Sequence, residues 1–222
     1  MPLKIVFMGT PEFSVPALNL LIKKKYNILK VYTQPPQKSK RGQKVNFSAI
    51  GNFCQKNEIN FNNPSNLNNQ KEIEDFKLLS PDIVVVVAYG QLIPKAFLKL
   101  PKFGFINIHA SLLPKWRGAA PIQRAIINGD KKIGVSIMKI QEKLDTGPIL
   151  SSKQIDLDKN STHGEVEKKL SLIGADLLVE SLESIENGTL KFIEQASKDA
   201  TYAKKIDKKE SKINWNLDAN KV

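Results

Sequence analysis

Residues 83–88 read Ile-Val-Val-Val-Val-Ala, five β-branched residues in succession and then a small one. The run shows no apolar/polar alternation, so it fits a strand covered on both faces, which places it in the interior of a parallel sheet. Pro81 and Asp82 lead into it, and Tyr89-Gly90-Gln91-Leu92-Ile93-Pro94 follows. Open α/β sheets bind ligands beyond the carboxyl ends of their strands, so residues 89–94 are the expected first wall of a pocket.

Towards the N-terminus, residues 3–8 form an apolar strand, and Gly9-Thr10-Pro11 turns it into a helix opened by Ser14. Pro16 falls in the first turn of that helix, and Ala17, Leu18, Leu21 and Ile22 face inward. A glycine after a first strand invites a dinucleotide reading. That reading fails here, because Gly9 has no GxGxxG around it and no acid ends the second strand, 28–33. A loop over 34–46, a helix over 46–56, a short strand at 59–61, an asparagine-rich loop at 62–70 and a helix over 72–78 complete this half.

Towards the C-terminus, residues 133–140 alternate as a strand and 149–157 form another. Thr162 and Glu165 make a capping box for the longest helix, whose inner stripe is Val166, Leu170, Ile173, Leu177, Leu178, Leu182 and Ile185; Asn187-Gly188 stops it. An edge strand is expected at 192–195. Strands and helices alternating in this way describe the α/β class, with a mostly parallel sheet flanked by helices.

The chemistry concentrates in residues 104–124, GFINIHASLLPKWRGAAPIQR. Asn107 and His109 stand two apart in an alternating run, so a strand places both on one face and Ile106 and Ile108 on the other. A carboxamide donor beside an imidazole suits acyl transfer: one holds a developing oxyanion while the other handles a proton. After the pair, the chain leaves through Ser111-Leu112-Leu113-Pro114 and a basic, aromatic segment before Pro121 starts a helix. A strand serving only to pack needs none of this. Downstream, Lys143-Leu144-Asp145-Thr146-Gly147 offers a carboxylate as partner. DTG also marks aspartic proteases, but their chemistry needs two such carboxylates sharing a proton and their folds are nearly all β.

The stretch IHASLLPKWRGAAPIQRAI with its downstream DTG resembles the folate-dependent formyltransferases, and within them the members that act on initiator methionyl-tRNA. The resemblance implies a Rossmann-like formyltransferase domain and a formyl group moved from 10-formyltetrahydrofolate to an amine. It implies catalytic roles for Asn107, His109 and Asp145. The folate ring would be held by the backbone of Gln91 and Leu92 and the wall at Tyr89, with Leu112 and Leu113 as apolar cover on a loop shaped by Ser111 and Pro114. No metal is implied. In the loop 34–46, Lys38, Lys40, Arg41 and Lys44 match the family's tRNA-entering loop, with Arg41 at the position of its arginine. Residues 1–200 would be the catalytic domain and 201–222, with Thr201 to Ile206 and Ile213-Asn214-Trp215, the segment that closes it. Members that act on tRNA carry a further C-terminal β-barrel domain, which this chain is expected to lack. A monomer is expected.

Composition agrees with these readings. The 222 residues suffice for one sizeable α/β core. No apolar run approaches a membrane span and MPLKIVFMG reads as a strand rather than a signal peptide, so a cytoplasmic protein is expected. Cys54 is the sole cysteine, which excludes an intrachain disulfide and a cysteine zinc cage; it lies in an apolar helical pattern, as a packing residue would. His163 reads as a surface helix residue. The net charge is +12, and residues 1–60 hold ten Lys or Arg against Glu12 and Glu58. That excess favours a polyanionic partner. Two further readings stay open: another amine formyltransferase or a formyltetrahydrofolate hydrolase, and, in a different class, a non-catalytic RNA-binding module, which leaves Asn107, His109 and Asp145 unexplained.

Overall fold

The computed structural model describes residues 2–39 and 44–219. In chain order the elements are β1 (Lys4–Gly9), α1 (Val15–Lys23), β2 (Asn27–Tyr32), β3 (Gln37–Ser39), β4 (Lys44–Asn46), α2 (Ala49–Lys56), β5 (Phe61–Asn62) and α3 (Gln70–Leu79). They continue with β6 (Ile83–Val87), α4 (Lys95–Leu98), β7 (Phe105–His109), β8 (Arg117–Gly118), α5 (Pro121–Ile127), β9 (Lys132–Lys139), β10 (Ile149–Asp156), α6 (His163–Glu186) and β11 (Tyr202–Ala203).

Seven strands form the main sheet in the order β10-β9-β7-β6-β1-β2-β5. From β5 to β7 every pairing is parallel, and β9 then runs antiparallel between β7 and β10. The valine run is β6, buried along its whole length between β1 and β7. Period two divides the sheet's side chains between two cores. Ile5, Phe7, Ile83, Val85, Val87, Ile106 and Ile108 join the larger, under α1, α2, α5 and α6. Val6, Met8, Val84, Val86 and Phe105 join the smaller, where the rings of Phe76 of α3 and Phe97 of α4 meet at a tilt, 4.7 Å between centroids.

Several local expectations change in the tertiary setting. The segment 34–46 is not all loop: β3 and β4 pair antiparallel as a small hairpin. Residues 192–195 make a single bridge, Ile193 to Ile149, rather than a strand. Ile22 is 37% exposed, because it lies on the flank of α1 away from the stripe formed by Ala17, Leu18 and Leu21. The one-turn α4 lacks the length at which helical periodicity becomes legible. Cys54 is buried, and burial pushes its thiol up to about 11, as suits a packing residue.

Residues 201–210 fold back against the domain. Tyr202–Ala203 pairs parallel with Arg117–Gly118, and Arg124 of α5 donates to the carbonyls of Lys204 and Lys205. The same guanidinium grips Glu210 with two hydrogen bonds of 2.6 and 3.0 Å. This contact, with the Asp207 backbone N–H, holds the Glu210 carboxyl down to about 2.

Two predictions follow from this packing. At Gly174 of α6 a Cβ would meet Ile108 Cγ2 at 2.8 Å, so Gly174→Val forces the long helix off the sheet. A loss of about 1–3 kcal/mol is expected in urea unfolding; unchanged stability would mean that helix and sheet separate freely. Because the Glu210 carboxyl titrates lower in the folded chain than its ordinary 4.5, its contribution is complete above that value and disappears as pH falls towards about 2. The Arg124 Nη–H resonances, from the groups that donate to Glu210, should therefore stay protected at pH 6 and be lost across that acidic window, whereas Glu210→Gln should remove the pH dependence.

Candidate active site

The site forms where β7 ends. Asn107 and His109 point to the face that carries Phe105, opposite Ile106 and Ile108, as the alternation requires. His109 is buried and Asn107 half-buried. Among the described residues nothing hydrogen-bonds the Asn107 carboxamide, so its N–H donors are free for a bound group.

The histidine is fixed by backbone. Its Nε2 lies 2.9 Å from the Trp116 carbonyl oxygen. A carbonyl can only accept, so the proton sits on Nε2, and Nδ1 becomes the nitrogen turned to the site. Nδ1 stands 3.7 Å from Asp145 Oδ2, within ion-pair range but beyond a hydrogen bond. The carboxylate itself accepts from the Gly118 N–H at 2.8 Å. The carboxylate and the imidazole face each other, and the Trp116 carbonyl holds the ring. A backbone carbonyl has no signature in sequence, so that partner was illegible.

The turn carrying Asp145 is strained in a specific way. Asp145 has φ of 50°, a left-handed conformation that Asp tolerates better than most residues. Gly147 follows because a Cβ there would collide with the Lys139 carbonyl. Thr146 Oγ1 donates to the Lys143 carbonyl at 3.0 Å and closes the turn.

The other site residues divide by role. Ser111 is fully buried; its hydroxyl donates to the Lys115 carbonyl at 2.6 Å, and its carbonyl accepts from Ser136 Oγ at 2.8 Å. Leu113 N–H donates to Ser136 Oγ, Pro114 O accepts from Thr201 N–H, and Leu112 sits against Gly134. These contacts shape the loop. The Tyr89 ring lies in the smaller core rather than open to the site, and its carbonyl accepts from Thr10 Oγ1. Burial, then the charges of Tyr32 and Glu72, raise the Tyr89 phenol well above its usual range, so it keeps its proton. Gln91 Nε2 donates to the Pro64 carbonyl, while Leu92 is 89% exposed at the rim.

An open cleft of about 550 Å³ runs between α4 and the chain entering the DTG turn, lined by Lys95, Leu98, Lys99, Ile140, Gln141, Glu142, Lys143 and Thr146. Sequence reading named none of these as lining residues. Their common wall exists only once β9 brings residue 140 beside the short helix. Of the basic loop, Lys40 and Arg41 lie outside the described residues, and Lys38 and Lys44 fall in β3 and β4. His163 opens α6, 3.9 Å from Glu167 one turn on. Among the described residues no cluster of three or more His, Cys, Asp or Glu could hold a metal, and no helix is long and apolar enough to cross a membrane.

Comparison with known proteins matches this geometry to a family. Residues 3–182 match the formyl transferase family model. The chain is 51% identical to methionyl-tRNA formyltransferase of Pelagibacter ubique over 220 residues, covering 99% of this chain and 71% of that protein. Its fold is similar to methionyl-tRNA formyltransferase from Clostridium thermocellum, with TM-score 0.67, 19% identity and coverage of 99% and 79% of the two chains. It is equally similar to a sugar 3N-formyl transferase solved in the presence of dTDP and 5-N-formyl-THF, with TM-score 0.71, 21% identity and coverage of 100% and 77%. With its parallel sheet, its Asn107, His109 and Asp145 gathered at one strand end, and these matches along nearly its whole length, the chain belongs to the formyl transferase family, among the methionyl-tRNA formyltransferases.

Proposed function

We infer that the protein transfers a formyl group from 10-formyltetrahydrofolate to the α-amine of methionyl initiator tRNA. The observation that carries this reading is the convergence of Asn107 and His109 on one face of β7, with Asp145 Oδ2 3.7 Å from His109 Nδ1. The catalytic unit is residues 1–200 closed by 201–222, acting as a monomer in the cytoplasm without a metal.

The methionyl amine attacks the formyl carbon, and the carbonyl becomes a tetrahedral adduct with charge on oxygen. The free Asn107 N–H donors suit that oxyanion; losing one such donor typically costs about 3–4 kcal/mol of barrier. Asp145 takes the proton that the attacking nitrogen must shed. His109, whose Nε2–H is held by the Trp116 carbonyl, receives that proton from Asp145 on Nδ1 and relays it to the departing folate nitrogen as its bond to the formyl carbon breaks. The backbone of Tyr89, Gln91 and Leu92 holds the flat heterocycle, with Leu112 and Leu113 as cover, and the cleft between α4 and residues 140–146 is the space offered to the folate. Ser111 and Pro114 hold the loop. Lys38, Lys40, Arg41 and Lys44 contact the tRNA.

Asn107→Ala, His109→Ala and Asp145→Ala are each expected to lower turnover by about 100-fold or more with folding unchanged. An assay offering charged initiator tRNA, a nucleotide amine and water as acceptors checks both rate and substrate; near-normal turnover in a variant removes that residue from the mechanism, and preference for water or a nucleotide amine replaces the acceptor. Arg41→Ala should weaken tRNA binding and flatten its salt dependence, while formyl-folate binding stays the same. Filter binding at two salt concentrations tests this, and unchanged affinity would make the loop ordinary solvated surface.

A further inference from the structure

Arg117 is only 4% exposed, yet among the described residues no carboxylate pairs with it. Buried guanidinium groups ordinarily face an acid. This one spends its Nε–H and an Nη2–H, at 3.0 and 2.7 Å, on a single neutral acceptor, the Oε1 of Gln195. The other end of that amide donates twice, to the carbonyl of Asp145 at 3.0 Å and to that of Gly147 at 2.6 Å.

We propose that Gln195, locked by Arg117, is a positioning residue that sets the Asp145 carboxylate against His109. This rests on the reading that Asp145 takes part in formyl transfer. An amide can flip, exchanging its oxygen and nitrogen at nearly no steric cost. Here a flip would put NH2 against the guanidinium and oxygen against two carbonyls, so Arg117 leaves one orientation. In that orientation the two N–H groups span the DTG turn from residue 145 to residue 147. They pin the backbone of a residue held at φ 50°, and with it the direction in which the carboxylate leaves the chain. Oδ2 is then delivered to the Gly118 N–H and to within 3.7 Å of Nδ1. Gln195 lies fifty residues from Asp145 in sequence and reaches it because Ile193 bridges to Ile149 alongside the turn.

The test compares Gln195→Glu, Asp145→Asn and the double variant in the full chain, measuring melting temperature, binding of 10-formyltetrahydrofolate per chain, and kcat and KM for formyl transfer to methionyl-tRNA. Gln195→Glu keeps a partner for Arg117 but replaces both donors with an oxygen facing two carbonyls. Its kcat should fall about 10- to 100-fold, as expected for a reacting group displaced by about an ångström, with KM for the folate and the number of folate sites unchanged. In the Asp145→Asn background the same substitution should cause no further loss, since residues acting through one group are not additive. If Gln195→Glu loses its folate sites, Gln195→Met, uncharged and of similar length, takes its place in the same cycle. Wild-type kcat in both Gln195 variants, or a full additional loss in the double variant, overturns the proposal while Asp145→Asn remains impaired. Near-normal turnover by Asp145→Asn would instead overturn the catalytic reading of the aspartate.

Discussion

Two backbone groups, the carbonyl of Trp116 and the N–H of Gly118, hold the imidazole and the carboxylate in place. The segment 116–119 divides its backbone groups between the site and the β8–β11 ladder. The Trp116 carbonyl and the Gly118 N–H serve the site, while the N–H groups of Arg117 and Ala119 turn to the carbonyls of Thr201 and Ala203. The short β8–β11 ladder is thus what lets one three-residue segment address His109 and Asp145 together. Gly118 permits the close approach: a Cβ there would sit 2.8 Å from the Ala203 carbonyl oxygen.

The site is also where the backbone departs from its preferred conformations. Trp116 at φ 60° and Asp145 at φ 50° both occupy the left-handed region, at a cost of roughly 1–2 kcal/mol each. Each is restrained by contacts from elsewhere in the chain. Trp116 is tied by its indole N–H to Asp130 at 2.7 Å and by its backbone N–H to Thr201 Oγ1 at 2.9 Å, and Asp145 is tied through Gly118 and Gln195. Backbone strain held in place by the surrounding fold is one way in which side-chain directions are fixed before anything binds.

The unequal covering of the sheet explains why there is a cleft beside this constellation. Four helices cover one face and share the larger core. The other face has α3 and the single turn of α4, which together bury Phe76 and Phe97 over the middle of the sheet. That cover reaches Phe105 of β7, on which Phe76 stacks at 6.2 Å, and the space between α4 and residues 140–146 stays open. The lining of that space reaches Thr146, the residue after Asp145.

Sequence by itself determined the sheet and the candidate site residues on it. The unbroken run Ile83 to Val87 can satisfy its side chains only in a doubly covered strand, and the alternation from Phe105 to His109 puts Asn107 and His109 on one face whatever surrounds them. The capping box at Thr162 and the stripe along α6 were equally legible, because both are set by local periodicity. Tertiary structure alone decided the rest. The partner of the imidazole is a main-chain carbonyl, identical in every residue and so invisible in a sequence. The hairpin at 37–46 and the lone bridge at Ile193 arise from pairing rather than propensity. Arg117, Gln195 and Asp145 become neighbours only when chain segments up to 78 residues apart are folded against one another, and no local pattern encodes a contact of that range.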